Sequence, residues 1–141
     1  MIRTDRQLAF EIARVLLVDD DPAARLTLQT VLEACGYHVD SAASAAEAVE
    51  KLDGQEYELV LSDLQMESPE AGLKVLAHAR MMDYKPATAI VTTYQNGGAK
   101  GGGSLLIEPQ DVPGLLGKIA ELIGGRATRQ VNRELRLAGQ F

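Results

Sequence analysis

The chain has 141 residues, enough for one domain, and its 46% apolar and 24% charged residues exclude wholesale disorder. No apolar run approaches the roughly 18–20 residues of a membrane span. The charged first fourteen residues lack the apolar core of a secretion signal, and the single Cys35 cannot form an internal disulfide, so a cytoplasmic protein is expected.

In chain order, residues 1–13 are an N-terminal extension in which Leu8, Phe10 and Ile12 are too few to define a helical face. Arg14–Val18 is a short aliphatic run that suits a strand buried on both faces. Asp21 caps a helix beginning at Pro22, with Leu26, Val31, Leu32 and Cys35 on its apolar side and Gly36 as its stop. Tyr37–Ser41 is more polar and reads as an edge strand. Ser44 and Glu47 have capping-box spacing and open a helix that Gly54 ends. Glu58–Ser62 gives the third strand, Glu70–Met82 the third helix, Thr88–Thr92 the fourth strand and Ser104–Ile107 the fifth. Between the last two strands lie five glycines from Gly97 to Gly103. At about 0.8–1 kcal/mol per glycine relative to alanine, a stable helix is not expected there, and a mobile loop is. Asp111 and Pro113 open a final helix, which Gly124-Gly125 closes at Ile123.

Strands alternating with helices imply an α/β fold with a parallel sheet and helices on both faces. Sites in such sheets form at the carboxyl ends of the strands. The polar residues there are Asp19, Asp20 and Asp21, then Asp63, then Thr92 and Thr93, then Glu108. If the first and third strands are neighbours, Asp19, Asp20 and Asp63 converge. Asp21, before Pro22, is a helix cap. Three close carboxylates repel one another unless a cation joins them. An all-oxygen set selects a hard ion, Mg²⁺ or Mn²⁺.

Val18-Asp19-Asp20-Asp21-Pro22, Leu61-Ser62-Asp63-Leu64-Gln65-Met66 and Val91-Thr92 resemble the receiver domain of two-component response regulators over residues 14–124. The resemblance implies a flavodoxin-like, doubly wound five-stranded sheet of order 2-1-3-4-5. It implies a domain that accepts a phosphoryl group from a sensor histidine kinase or phosphotransfer protein and signals to a downstream effector protein, rather than an enzyme. By position, Asp63 is the phospho-acceptor, a carboxylate nucleophile. Asp20 and Asp63 would bind Mg²⁺ through side chains, Gln65 through its main-chain carbonyl and Asp19 mostly through water. Thr92 would be the switch hydroxyl.

The sequence also departs from that family. Glu108 stands where the family has a lysine, Leu105 where it has an aromatic residue, Thr93 where a small residue is often found, and the fourth-helix region is degraded and glycine-rich. The stretch from Glu67 to Gly72 is one residue longer than the usual loop. The leading reading is a stand-alone receiver in a phosphorelay; the alternative is a pseudo-receiver that acts as a phosphorylation-independent interaction module. A small phosphohydrolase would want a second acid where Gln65 stands. Lys100 reads as a solvated loop residue, and its glycine surroundings do not form a phosphate-binding loop because no Ser/Thr follows it. His38 and His78 read as surface or packing residues and Cys35 as a small packed hydrophobe.

The net charge of −6 is unevenly distributed. Residues 125–141 hold Arg126, Arg129, Arg133 and Arg136 against Glu134, a local +3 that leaves −9 for the first 124. This balance argues against nucleic acid as the main partner. The arginines share one helical face, with Val131, Leu135 and Ala138 roughly opposite. A short amphipathic tail helix follows, either packed loosely on its own domain or engaged with a partner or in a homodimer.

Overall fold

The computed structural model describes residues 13–63, 66, 68–91, 105–107 and 112–138. The sheet strands are β1 (Arg14–Val18), β2 (His38–Ala42), β3 (Leu59–Asp63), β4 (Ala87–Val91) and β5 (Leu105–Ile107). The helices are α1 (Pro22–Ala34), α2 (Ala45–Gly54), α3 (Pro69–Arg80) and α4 (Val112–Ala138). All strand pairs are parallel and their order is β2-β1-β3-β4-β5, the doubly wound order expected from the sequence. The glycine-rich stretch from Gly97 to Gly103 and residues 1–12 lie outside the described residues, and nothing of Leu105's side chain is described.

Strict alternation along β1 builds two cores. Leu16 and Val18 join Leu52, Val75 and Leu76 on the side of α2 and α3. Val15 and Leu17 join Leu32, Leu115 and Ile119 on the side of α1 and α4. Both faces of β1 and β3 are therefore dry, which explains why their sequences are aliphatic throughout. The polar strand β2 takes an edge. There Tyr57 Oη donates to Asp40 Oδ2 at 2.8 Å, and burial, reinforced by that carboxylate, pushes the Tyr57 hydroxyl well up.

The capping residues hold. Asp21 accepts from Ala23 N at 3.2 Å and Ser44 from Glu47 N at 3.2 Å. Gly36, at φ 98°, turns the chain out of α1 in a conformation that favours glycine. The third helix begins one residue earlier than Glu70, because Ser68 caps it by accepting from Ala71 N. His78 Nε2 pairs with Asp53 Oδ1 at 2.8 Å and ties α3 to α2. Two residues of α1 differ from expectation. Cys35 is exposed at the helix end. Leu26 is 65% exposed, because α1 meets the sheet through Leu28 and Leu32, one turn apart on another side of the helix.

The larger correction concerns α4. It does not stop at Gly124-Gly125 but runs unbroken for 27 residues from Val112 to Ala138. The reason is its facing pattern. Leu115, Ile119 and Leu122 pack toward the sheet, and continuing the same 4, 3 spacing lands on Arg126, Arg129, Arg133 and Arg136. Arg126 is only 9% exposed. Its Nε donates to Lys85 O at 3.0 Å and its Nη2 to Tyr84 O at 2.7 Å. Lys85, at φ 45°, is the one non-glycine among the described residues in the left-handed region. Its carbonyl is one of the two that receive this guanidinium.

Hydrogen bonds from a charged donor contribute about 1.5–3 kcal/mol each, enough to offset the propensity cost of two glycines at about 0.8–1 kcal/mol apiece. Arg126→Met keeps the aliphatic stem and removes both bonds. It is expected to lower unfolding stability by about 2 kcal/mol in urea titration and to speed protease cleavage beyond Gly125. Unchanged stability and cleavage would show that α4 persists without the anchor.

Candidate functional site

Val15–Val18 pair with Leu59–Ser62, so the carboxyl ends of β1 and β3 lie level. This register sets Asp19 and Asp20, just past β1, against Asp63, the last residue of β3. One carboxylate oxygen from each lies within 4.8 Å of the others. Asp19 and Asp63 are half-buried and Asp20 is exposed.

Asp19 is fixed from three directions. Its N–H donates to Ala42 O at 3.1 Å, its Oδ1 accepts from Asp21 N at 2.9 Å, and its carbonyl accepts from Arg25 Nη1 at 2.7 Å. Burial is the largest influence on its carboxyl and raises its pKa above the usual aspartate value. The Asp21 N–H opposes that shift, while the charges of Asp20 and Asp21 add to it. Asp63 is positioned from behind by a helix. A Cβ on Gly72 in α3 would stand 2.6 Å from Asp63 O and 3.3 Å from Ser62 Oγ. Only a residue without a side chain lets α3 approach the end of β3 this closely. Gly72 and Arg25 were not among the residues singled out in the sequence. An isolated glycine within a helical pattern was the available signal for the first, and Arg25 offered none.

Three oxygen donors within reach of one another, two of them on half-buried residues, suit a hard divalent cation. They also fit it electrostatically, since a cation would offset the burial that holds the Asp19 carboxyl up and the charges of Asp20 and Asp21 that add to it. Among the described residues no other group of three or more His, Cys, Asp or Glu side chains comes together this way. Gln65, Thr92, Thr93, Lys100 and Glu108 lie outside the described residues.

The family pattern for the response regulator receiver domain matches residues 15–100. The chain belongs to this family. The receiver is 40% identical over 76 residues to a gliding motility regulatory protein of Myxococcus xanthus, spanning 54% of this chain and 9% of that protein. It is 40% identical over 81 residues to the alginate biosynthesis transcriptional regulatory protein AlgB of Pseudomonas putida, spanning 57% of this chain and 18% of that protein. The aligned receiver region is thus under a fifth of these relatives' length. Among solved structures, the response regulator TrrA of Thermotoga maritima, in complex with Mg²⁺-BeF, is 26% identical with a TM-score of 0.68, covering 77% of this chain and 97% of that one. A CheY-like receiver domain of Methanospirillum hungatei is 27% identical with a TM-score of 0.67, covering 84% and 98%. TrrA is also known in complex with the histidine kinase ThkA.

Two outcomes are expected from this geometry. Because the folded pKa of Asp19 is raised, ionising it costs more in the folded than in the unfolded chain. Its contribution to stability therefore falls as pH rises from the unfolded value through the folded one. Without divalent cations, Asp19→Asn should then raise the melting temperature at neutral pH and leave it unchanged at pH 3. Equal effects at both pH values would remove the electrostatic explanation. Gly72→Ala gains about 1 kcal/mol of helix propensity but meets Asp63 O, and overpacking of this kind costs about 1–3 kcal/mol. A net loss of stability with weakened Mg²⁺ binding is expected in calorimetric titration; a stabilised variant with normal binding would show that α3 yields freely.

Proposed function

We propose that Asp63 accepts a phosphoryl group from the phosphohistidine of a sensor kinase or phosphotransfer protein, which makes the chain a phosphorelay receiver. The observation that carries this reading is the convergence of Asp19, Asp20 and Asp63 at the carboxyl edge of a receiver sheet. A bound Mg²⁺ or Mn²⁺ would supply charge neutralisation and orientation for the incoming phosphoryl group. Asp20 and Asp63 would hold it through carboxylates, Gln65 through its main-chain carbonyl, and Asp19 through water.

The chain's own residues do the remaining work. An Asp63 carboxylate oxygen attacks phosphorus and forms an acyl phosphate. The bond from phosphorus to the donor's imidazole nitrogen breaks, and its electron pair returns to that nitrogen. The nucleophile is the carboxylate form of Asp63, so no general base is needed for the attack. The Thr92 hydroxyl donates to a phosphoryl oxygen and begins the read-out to an effector.

A second reading is favoured by Glu108, which stands where the family's lysine would neutralise the phosphoryl group. Two unit charges about 4 Å apart interact by about 4 kcal/mol at an effective dielectric near 20, and the change from lysine to glutamate reverses the sign. A pseudo-receiver that signals by protein contact alone would tolerate that change. Incubation with acetyl phosphate and Mg²⁺, read by intact-protein mass spectrometry, separates the two. The phosphorelay reading expects one added phosphoryl group, abolished by Asp63→Asn and increased in Glu108→Lys. No labelling of the wild-type chain, with labelling restored in Glu108→Lys, would establish the pseudo-receiver.

A further inference from the structure

We propose that two copies of this chain associate through the amino-terminal edge of the sheet, each laying the arginine face of its α4 extension on an acidic hollow of the other. Beyond Arg126, α4 runs on for about 18 Å at 1.5 Å per residue, and residues 131–137 are all exposed. The face presented by this overhang is set by periodicity. Arg129, Arg133 and Arg136 continue the stripe that Leu115, Ile119 and Leu122 bury against the sheet and that Arg126 docks beside Tyr84. Leu137 falls on the same face and is 63% exposed.

Next to the root of this helix lies an open hollow with a floor of Leu52, Met82 and Tyr84 and a rim of Asp53, Glu56 and Asp83. The rim acts on its surroundings. Burial first, then the charges of Glu56 and Asp53, push the Tyr84 hydroxyl up to about 12, with Arg126 opposing them. Among the described residues, Arg129, Arg133 and Arg136 have no carboxylate partner within salt-bridge distance, and neither do Glu56 and Asp83. Asp53, the third acid of the rim, is held by His78, so among the described residues the arginine face and the Glu56 and Asp83 side of the hollow lie side by side without ion-pair partners.

Adjacent complementary patches that do not pair within a copy are what a two-fold contact exchanges reciprocally, so that each charge pair forms twice. The hollow's apolar floor suits arginine stems, which pack along apolar surface while the guanidinium meets a carboxylate. The −9 carried by residues 1–124 against the +3 of residues 125–141 favours this encounter over pairing of two basic helices. Glu56 and Asp83 precede β3 and β4, so the contact lies at the opposite edge of the sheet from Asp63 and leaves that site open.

Sedimentation velocity on the full chain tests the pairing. The wild-type protein should dimerise at low salt and dissociate as salt rises, because exposed pairs are screened. Arg129→Glu with Arg133→Glu, and separately Glu56→Lys with Asp83→Lys, should each weaken dimerisation by about tenfold or more. Mixing the two variants should restore a heterodimer, since charges are complementary in both of its contacts, reversed in one and native in the other. All four positions are exposed, and circular dichroism on each variant verifies folding. A wild-type chain that stays monomeric at low salt would overturn the proposal. So would a dimer indifferent to both charge reversals but lost in Val131→Asp or Leu135→Asp, since that outcome assigns the contact to the opposite, apolar side of α4.

Discussion

The structure turns on the pairing of β1 with β3. Val18 opposite Ser62 brings the acids that follow one strand level with the acid that ends the other. No other register of these two strands gathers three carboxylates at one point, and a slip of one residue would also turn the inner strands' alternation inside out. The aliphatic sequence of both strands prevents that slip, because Leu16 and Val60 belong to one core and Leu17 and Leu61 to the other. Hydrophobic burial thus enforces an arrangement that electrostatics alone would oppose. The Asp19 carboxyl is held up chiefly by burial, and the charges of Asp20 and Asp21 add to it.

The support around this point is asymmetric. Asp19 is locked by the backbone of Ala42 and Asp21 and by the guanidinium of Arg25. Asp20, exposed beside it, is the member placed to meet a ligand from solvent. Asp63 is backed by α3, whose approach depends on the missing side chain of Gly72. Ser68 caps that helix. The described residues around Asp19 and Asp63 are thus fixed by backbone hydrogen bonds and by close helix packing.

Much of this was legible in the sequence because the relevant signals are local. Aliphatic runs, Asp21 before Pro22 and the Ser44–Glu47 spacing each carry their own physical cause; alternation implied a parallel sheet, and the strand order came from the resemblance to the receiver family. The convergence of Asp19, Asp20 and Asp63 was legible once the first and third strands were placed side by side, as the resemblance implies. The end of α4 was not, because a glycine pair weakens a helix by an amount that a tertiary contact can exceed. The contact that exceeds it joins Arg126 to carbonyls some 40 residues earlier, and nothing local announces it. One signal did cross the glycines: the 4, 3 spacing from Leu115 to Arg136 never loses phase. Leu26 and Cys35 were misplaced for a related reason. Apolar character on a short helix does not specify which of two adjacent stripes meets the sheet.

Arg126 also explains why the two ends of the molecule differ in chemistry. Where α4 crosses the sheet, its inward stripe is leucine and isoleucine; where it leaves the sheet, the same stripe becomes arginine. A basic residue at the boundary satisfies backbone carbonyls that an aliphatic one would leave bare, and those beyond it keep the overhang soluble. The acids of the body divide likewise, Asp19, Asp20 and Asp63 at the carboxyl edge and Asp53, Glu56 and Asp83 at the amino edge. A tight cluster of three carboxylates suits a small hard cation. An open acidic hollow beside an unpaired arginine face suits a larger, extended basic surface. The two acidic groups lie at opposite ends of the strands, so under the proposed function a phosphoryl group accepted at one edge would not compete with the proposed protein contact at the other.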